Sequence, residues 1–365
     1  MAYEIDFIGV PEEKAKKDAD AIAFRWKTEN GFKRCVYDGG FEAHGERLAE
    51  ILNQYYFKQN EEKVIDAVFV SHSDKDHTSG LKIILENFKV KALYMNRPWL
   101  YADELYPKVN DGRKTVESLK RELKEKFAYI ADLEEIALRK GISIYETFTG
   151  VKIESKLLIL SPTKEQYKEL LVASDKTPLQ ESRVDTKDSV ISKFIQKVYN
   201  VFEDWNIETL KDDVTTSAEN EMSIVLLGSM DDEKFLLTGD AGIDGLNSAM
   251  NSYRHYFRKS ITGDIMFMQI PHHGGRHNVN PVVLNQLLGN KCGRETDKGI
   301  VAFVSSAENS DHPYKMVVNA YLRRGAKVMK SGGNCIWHRC DMPLRENYGP
   351  IESEKFSRYV EEWHD

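Results

Sequence analysis

The sequence predicts an α/β domain, and three features lead to that expectation. Short apolar runs alternate with amphipathic stretches towards both ends of the chain. Polar loops rich in histidine and aspartate follow several of the apolar runs. Two highly charged helical stretches, about 98–140 and 163–213, interrupt the alternation and have no apolar core of their own. We therefore predict one domain, residues 1–365, with these stretches as helical insertions.

The elements follow from local patterns along the chain. Apolar runs with a period of two or with continuous apolar character indicate strands, and apolar residues spaced three and four apart indicate helices. In the first half these are a hairpin at 22–26 and 32–37, a helix around 48–56, a buried strand at 64–70, a short helix from 81, a strand at 89–95 and a strand pair at 150–160. In the second half they are strands at 222–227 and 234–237 around a turn at 229–232, a helix to about 258, strands at 264–270 and 300–304, a helix at 313–324, and strands at 326–329 and 334–337.

The composition is that of a globular protein, with 41% hydrophobic and 30% charged residues. The net charge of −7 excludes a global basic field that would attract nucleic acid or an anionic membrane surface. We find neither a secretory signal nor an apolar run long enough to cross a membrane, so we expect a cytoplasmic protein. Cys35, Cys292, Cys335 and Cys340 show no C-x-x-C spacing and are predicted to be reduced thiols.

Metal-capable side chains follow predicted strands at four places. These are Asp38, the loop from His72 to His77, Asp240, and the pair His272 and His273. Ligands of α/β proteins commonly bind at the loops beyond the strand ends, so these side chains are candidates for one site. A fifth polar loop, 309–312, precedes the last predicted helix.

The loop from His72 to His77 carries the sharpest of these patterns. A divalent metal ion needs several imidazole or carboxylate ligands within about 2.0 to 2.6 Å. This loop alone presents four, namely His72, Asp74, Asp76 and His77. The alternative is a surface turn rich in polar residues. For Asp240 likewise, a simple turn former is the alternative to a carboxylate that bridges two metal ions.

The ten histidines of the chain divide into two groups. Those in the three polar loops are metal-ligand or catalytic candidates: His72, His77, His272, His273, His277 and His312. The others are predicted to be surface or packing residues: His44, His255, His338 and His364.

These motifs resemble the metallo-β-lactamase superfamily, and most closely its branch containing the metallo-hydrolase domain of bacterial DNA-uptake competence channels. The matching stretches are VSHSDKDHTSG at 70–80, LLTGDA at 236–241, PHHG at 271–274 and DHP at 311–313. The resemblance covers about 20–96 and 218–340. It implies a four-layer αβ/βα sandwich that binds one or two Zn²⁺ or Mn²⁺ ions.

The resemblance also implies a ligand set in which Asp240 bridges two ions. Asp76, His77 and His272 would hold one ion, His72 and Asp74 the other, and Asp38 would be a structural carboxylate.

The chain departs from the superfamily pattern at the third motif, because no histidine lies between His77 and His255. The similar branch has Asn-x-x-Ser there, matched by Asn220 and Ser223, which with His273 are supporting candidates. Oxygen-rich sites suit Mn²⁺ better than Zn²⁺. We therefore expect the second site, formed by His72 and Asp74, to be weaker, more oxygen-rich or empty, and rank it the weaker of the two.

The predicted chemistry is metal-dependent hydrolysis by a metal-activated water. Asp76 and Asp240 would act at the metal, and His312 would protonate the leaving group or contact the substrate. The alternative for His312 is a helix-terminal residue without a chemical role.

The resemblance favours a phosphodiesterase or nuclease, whose substrate would be a phosphodiester such as nucleic acid. Arg254, Arg258 and Lys259 near the Asp240 helix, and Arg276 beside His272, could contact phosphates. Two alternatives stay open. One is hydrolysis of a small ester, lactone or cyclic phosphodiester, and the other is a regulatory module with structural metal that docks a protein partner through the charged insertions.

Overall fold

The structure is a computed structural model that describes residues 1–109, 113–178, 201–231 and 233–363. Four predictions therefore fall partly or wholly outside the described residues: positions 110–112 of the 98–140 insertion, the middle of the 163–213 insertion, position 232 of the predicted turn, and His364. Within the described ranges, no helix is long and apolar enough to cross a membrane.

The strands are, in chain order, β1 (Tyr3–Phe7), β2 (Ala21–Thr28), β3 (Gly31–Gly39), β4 (Val64–Ile65), β5 (Ala67–Phe69), β6 (Lys89–Val90), β7 (Ala92–Tyr94), β8 (Ser143–Tyr145), β9 (Lys152–Ile153), β10 (Leu157–Ser161), β11 (Val201–Phe202), β12 (Val225–Met230), β13 (Glu233–Leu237), β14 (Ile265–Gln269), β15 (Ile300–Val304), β16 (Ala326–Lys330), β17 (Ile336–Cys340) and β18 (Tyr359–Val360). The α-helices are α1 (Glu42–Ile51), α2 (Lys75–Thr78), α3 (Leu81–Asn87), α4 (Ala102–Leu105), α5 (Val116–Lys126), α6 (Ala128–Lys140), α7 (Lys164–Ala173), α8 (Ala218–Glu221), α9 (Ile243–Phe257), α10 (Pro281–Leu288) and α11 (Lys315–Arg323). A π-helical turn at Leu52–Tyr56 extends α1, and 3₁₀ turns lie at Pro98–Tyr101, Tyr106–Lys108 and His272–Gly274.

Two mixed sheets face each other at the centre of the described structure. The first has the strand order β17-β1-β2-β3-β5-β7-β8, and the second has the order β16-β15-β14-β13-β12-β10-β9. Aromatic rings fill the space between them, as where Phe24 of the first sheet meets Phe235 of the second at 5.5 Å between centroids. Edge-on ring pairs of this kind add to the energy of apolar burial.

Helices cover the outer face of each sheet. Helices α1, α3, α5 and α6 share one apolar core with the first sheet. Helices α9, α10 and α11 share another with the second sheet. The four layers therefore run helix, sheet, sheet, helix, which confirms the predicted αβ/βα fold.

Side-chain alternation along β2 explains how one strand serves two layers. Successive strand residues point to opposite faces. Ile22 and Phe24 lie in the core between the sheets, whereas Ala21 and Ala23 lie in the core under the helices. Alanine at these positions leaves room for the helices to approach the sheet.

Strand β1 has no counterpart in the sequence prediction, and the cause is charge. Its sequence Tyr-Glu-Ile-Asp-Phe is wholly buried, including both carboxylates. Arg25 Nε lies 2.5 Å from Glu4 Oε1, and Arg345 Nη1 lies 2.7 Å from Asp6 Oδ1. Because distant arginines neutralise these carboxylates, the strand is buried although its local sequence is polar.

The charged insertions differ from each other. In the first, Leu119 and Leu123 of α5 and Leu133 of α6 pack into the core of the first sheet, so the predicted helices are present. The second stretch, 163–213, was predicted to be mostly helical; α7 is helical, but residues 201–213 are not. These residues form β11 and irregular backbone.

Buried ion pairs explain the irregular part of the second insertion. Glu203 Oε2 lies 2.9 Å from Arg323 Nη2, and both side chains are fully buried. Glu208 Oε1 lies 2.7 Å from Arg324 Nη1. These contacts bind the segment to α11 and the residue after it, so tertiary ion pairs determine its path rather than helix propensity.

Candidate metal centre

The predicted polar loops meet at one end of the sandwich. Asp38 is the penultimate residue of β3. The loop that begins at His72 follows β5, which pairs with β3 in parallel. Asp240 follows β13, and His272 follows β14, which pairs with β13 in parallel. The carboxyl ends of parallel strands share a sheet edge, so each sheet contributes side chains to the same region.

Four buried residues form a compact group at this edge. One ligand atom each from Asp20, His77, Asp240 and His273 lies within 4.8 Å of the other three. His77 and Asp240 are predicted ligands, and His273 is a predicted supporting residue. Asp20, directly before β2, was not singled out from the sequence. Two imidazoles and two carboxylates form a donor set suited to a divalent transition metal.

The hydrogen bonding of this group tests whether a metal ion fits there. His77 Nε2, His273 Nε2, Asp240 Oδ1 and both carboxylate oxygens of Asp20 are buried without a hydrogen-bond partner. Buried polar atoms are normally satisfied, and leaving one unpaired costs about 1 to 3 kcal/mol. So many unpaired ligand-type atoms around one point match the needs of a divalent cation. The residues therefore fit a metal ion.

Asp38 orients His77 towards the group. Its Oδ2 lies 2.9 Å from His77 Nδ1, and its Oδ1 accepts a hydrogen bond of 2.7 Å from the Ser71 backbone N–H. The carboxylate thereby favours a proton on Nδ1 and leaves Nε2 towards the other ligands. Such carboxylate–histidine pairs are typical of metal-ligating histidines.

The electrostatics of the group are strongly coupled. Burial disfavours the charged form of Asp240, but the attraction of His77 and His272 holds the pKa of that carboxyl well below its usual range. Burial disfavours the charged form of His273 too, yet Asp20 and Asp76 raise its pKa to about 10. Because the pKa values of His77 and His273 are raised, metal binding would release protons from these two imidazoles.

The backbone at the PHHG motif is strained. His272 and His273 have φ angles of 48° and 54°, and Gly274 follows at 80°. Left-handed conformations of residues other than glycine cost of order 1 kcal/mol each and concentrate at functional sites. The strain aims two consecutive imidazoles at Asp240 and at Asp76.

Two further imidazoles lie beside Asp240 without joining the four-residue group. His272 Nδ1 is 2.6 Å from Asp240 Oδ2 and 3.0 Å from Asn220 Nδ2. His72 Nε2 is 3.8 Å from the same Asp240 oxygen. Ser223, another supporting candidate, accepts a hydrogen bond of 3.1 Å from the Asp240 backbone N–H.

The remaining carboxylates of the His72–His77 loop lie on opposite sides of the group. Asp76 Oδ2 is 3.7 Å from His273 Nε2, and Asp74 Oδ2 is 3.7 Å from His72 Nε2. The geometry thus places His273, rather than His272, with Asp20, His77 and Asp240. Ligation by the predicted set, His272 included, stays a prediction.

His312 stands at the edge of the centre. Its ring centroid is 6.4 Å from that of His273 and 6.5 Å from that of His272. Its Nδ1 lies 2.8 Å from Asp18 Oδ2, and Asp18 is also bound by the Ala307 backbone N–H. Burial opposes ionisation of Asp18, but the His312 hydrogen bond and the other partners lower the pKa of that carboxyl. Asp18 was not predicted from the sequence.

Arg276, which was predicted to contact phosphates, packs against other parts of the protein instead. Arg276 is buried, donates to the Glu362 carbonyl, and stacks between the rings of Tyr314 and Trp363 at 5.0 and 4.4 Å. His277 packs against Trp363 at 5.4 Å between centroids. Both residues therefore pack against the C-terminal segment.

The second basic cluster lies away from the metal-ligand group. Arg254, Arg258 and Lys259 are at the C-terminal end of α9, whereas Asp240 lies before its N-terminus. The helix has 15 residues, which at about 1.5 Å per residue separates the two by roughly 20 Å. The position of these residues gives no support for phosphate binding at the centre.

Among the described residues, the histidines predicted to be surface or packing residues are found in those roles. His44 is buried, and His255 is exposed on α9. His338 packs against Phe267 at 4.4 Å between centroids.

The comparisons with known proteins concern family and fold. Residues 31–142 match the family model of the metallo-beta-lactamase superfamily. A search of curated protein sequences gave no match.

Several solved structures are similar to this chain at low identity. Tm1679, a metal-dependent hydrolase of the beta-lactamase superfamily, shares 10% identity at a TM-score of 0.44, covering 92% of this chain and 98% of that protein. YhfI from Bacillus subtilis, a metallo-beta-lactamase fold protein, shares 9% at 0.42, with coverages of 93% and 100%. Zn²⁺-bound PqqB from Methylobacterium extorquens shares 10% at 0.43, with coverages of 92% and 99%.

The matched residues 31–142 include the loop from His72 to His77, and the chain around them has the αβ/βα layers. The similarity to the metallo-β-lactamase superfamily thus covers this part of the sequence, and the fold around it is the αβ/βα sandwich.

Proposed function

We propose that this protein is a metal-dependent hydrolase whose metal ion is held by Asp20, His77, Asp240 and His273. One observation carries the proposal: ligand atoms of these four buried residues converge without hydrogen-bond partners of their own. A purely structural cluster would pair its imidazoles and carboxylates with each other or with backbone groups. Here His77 Nε2 and Asp240 Oδ1 approach each other to 3.2 Å without forming a hydrogen bond. His273 Nε2 and both Asp20 oxygens also have no hydrogen-bond partner, which leaves a common point for a cation.

The chain's own residues divide the work at this centre. A bound divalent ion supplies Lewis acidity and lowers the pKa of water. Asp38 holds the His77 ring in place, and Asp76 stands 3.7 Å from His273 Nε2 on the outer side. His312, fixed through Asp18, is placed to give a proton to the leaving group.

We propose a phosphodiester as the substrate class, and nucleic acid as its first example. The support is the likeness of the VSHSDKDHTSG, LLTGDA, PHHG and DHP motifs to the competence-channel branch. Since the basic clusters lie elsewhere, substrate affinity would come from the centre itself rather than from a large cationic surface. Zn²⁺ and Mn²⁺ are both proposed as its ion, and a protein partner on the charged insertions is a further proposal.

The test combines metal analysis with a substrate panel. Purified protein is analysed for divalent metal, then assayed on bis(p-nitrophenyl) phosphate, single-stranded DNA, duplex DNA, RNA, a lactone and a thioester, with and without EDTA. We expect metal-dependent phosphodiester cleavage. Lactone or thioester hydrolysis without phosphodiester cleavage would overturn the substrate class, and a folded protein that binds no metal would overturn the hydrolase proposal in favour of a partner-binding module.

Two histidine variants test the ligand assignment. His273→Ala should lose the metal ion and the activity, because it removes one of the four grouped ligands. His272→Ala should keep the ion with altered turnover, because His272 contacts Asp240 from outside the group. Exposed His255 provides the control, and His255→Ala should match the wild type.

A further inference from the structure

A lysine occupies the side of the centre where a second metal ion is predicted. Lys176, which follows α7, places Nζ 2.5 Å from Asp74 Oδ1 and 3.4 Å from Ser73 Oγ. Its ammonium also lies 5.7 Å from the centroid of the Phe127 ring. A carboxylate, a hydroxyl and an aromatic face therefore surround one positive charge.

The same side is poor in metal ligands. His72 Nε2 is buried without a hydrogen-bond partner and faces Asp74 Oδ2 at 3.7 Å and Asp240 Oδ2 at 3.8 Å. His272 Nδ1 also approaches this Asp240 oxygen, but it already contacts it at 2.6 Å. Among the described residues, His72 is therefore the nitrogen donor without a partner on this side, and Asp74 is already paired with Lys176.

The supporting candidates have hydrogen bonds elsewhere. Ser223 Oγ accepts from the Asp240 backbone N–H at 3.1 Å. The amide nitrogen of Asn220 donates to Thr216 Oγ1 at 2.8 Å and lies 3.0 Å from His272 Nδ1. Among the described residues, nothing replaces the missing third-motif histidine beside His72 and Asp74.

We propose that the Lys176 ammonium stands in for the second metal ion, so that the centre binds one divalent ion. The inference rests on the proposed function, since it assumes an ion at Asp20, His77, Asp240 and His273. A second ion would have to displace Lys176 from Asp74 and bind beside its positive charge, with His72 as the nitrogen donor that has no partner of its own. Coulomb repulsion opposes that for any divalent ion, and the oxygen-rich donor set further disfavours Zn²⁺.

The experiment counts bound ions in variants of Lys176. Wild type, Lys176→Ala and Lys176→Met are loaded with Mn²⁺, dialysed, and analysed for metal by mass spectrometry. Electron paramagnetic resonance then distinguishes isolated from exchange-coupled Mn²⁺. We expect one isolated ion in the wild type and a second, coupled ion in both variants, with its Kd at least ten-fold tighter than any second binding to the wild type.

Three further variants keep the result interpretable. Lys176→Arg retains a positive charge and should bind one Mn²⁺ ion. The double variant Lys176→Ala with Asp74→Asn lacks the carboxylate of the second site and should also bind one ion. Lys168 on α7 pairs with Glu104 at 2.9 Å, away from the centre, so Lys168→Ala should match the wild type. Circular dichroism confirms that each variant is folded.

The possible outcomes separate this inference from the proposed function. Two coupled ions in the wild type, or one ion in Lys176→Ala, would overturn the role of Lys176 and leave the hydrolase intact. The absence of any ion in both proteins would overturn the proposed function and this inference with it.

Discussion

Asp20 is a proposed ligand that the sequence did not single out, and its replacement by asparagine tests the centre. The carboxylate is 1% exposed, and neither oxygen has a hydrogen-bond partner. In metal-free protein the Asp20→Asn change should cost less, because burial raises the pKa of this carboxyl and disfavours its charged form, while the attraction of His273 partly opposes that. In metal-loaded protein the same change removes an anionic ligand.

The size of the effect follows from linkage between metal binding and folding. Loss of a supporting group typically weakens metal affinity 10- to 100-fold, and a ligand should lie at or beyond the upper figure. At saturating metal, a 100-fold weaker Kd removes about 2.7 kcal/mol of metal-linked stability. The variant should therefore lose about that much in the free energy of unfolding with metal, and less than about 1 kcal/mol without it.

The assay is urea unfolding with excess metal and with EDTA, paired with a chelator competition that measures Kd. Asp66→Asn is the matched control, because Asp66 is a buried carboxylate that binds Lys91 at 2.7 Å and the Arg34 backbone N–H, away from the centre. Asp66→Asn should lower the free energy of unfolding by the same amount with excess metal and with EDTA. Equal destabilisation of Asp20→Asn with and without metal, at unchanged Kd, would refute the assignment of Asp20 as a ligand.

Three other predictions concern supporting features. Asp38→Asn should weaken metal binding about 10- to 100-fold without removing a ligand, and an unchanged Kd in chelator competition would contradict its orienting role. Burial lowers the pKa of His338 to about 4, whereas the same imidazole in the unfolded chain has a pKa near 6.5. As the pH falls from about 7.5 to 5, the unfolded state takes up a proton that the folded state does not, so the free energy of unfolding should fall by about 2 kcal/mol. His338→Phe should abolish that part of the loss in urea unfolding at the two pH values, and an unaltered pH dependence would argue against it. A Cβ at Gly80 would lie 2.0 Å from the Gly39 carbonyl oxygen, so Gly80→Ala should lower the free energy of unfolding by about 3 kcal/mol. The control is Gly293→Ala, whose Cβ meets nothing nearer than 3.5 Å and which should leave the thermal denaturation nearly unchanged.

The local part of the centre could be predicted from the sequence. His72, Asp74, Asp76 and His77 lie within six consecutive residues after an apolar strand, so a single loop displays the pattern. Asp240 is also read locally, because it follows a strand and a glycine.

Asp20 and Asp18 have no such local signal. Asp20 is a single aspartate beside a strand start, and its partners His77, Asp240 and His273 are far along the chain. Asp18 gains meaning only through its 2.8 Å contact with His312. The choice between His272 and His273 likewise depends on backbone angles, since adjacent histidines look equivalent in sequence.

The fold class could be predicted because many of its strands and helices also have local sequence patterns. Some strands of the second sheet are continuous apolar runs, such as Ile300–Val304, where prediction and structure coincide. Strand β1 and the segment after Val201 were misjudged because distant arginines, Arg345 and Arg323, determine their burial. Long-range charge pairing is invisible to periodicity.

The four grouped ligands come from both halves of the sandwich, and this bears on how the protein comes apart. Asp20 and His77 belong to the first sheet's loops, and Asp240 and His273 to those of the second. An ion held by all four would act as a cross-link between the sheets at one end. Chelation should then speed the opening of that end, so that proteases cut the metal-free protein first within these loops. Two separately expressed halves would need the ion to reassociate firmly.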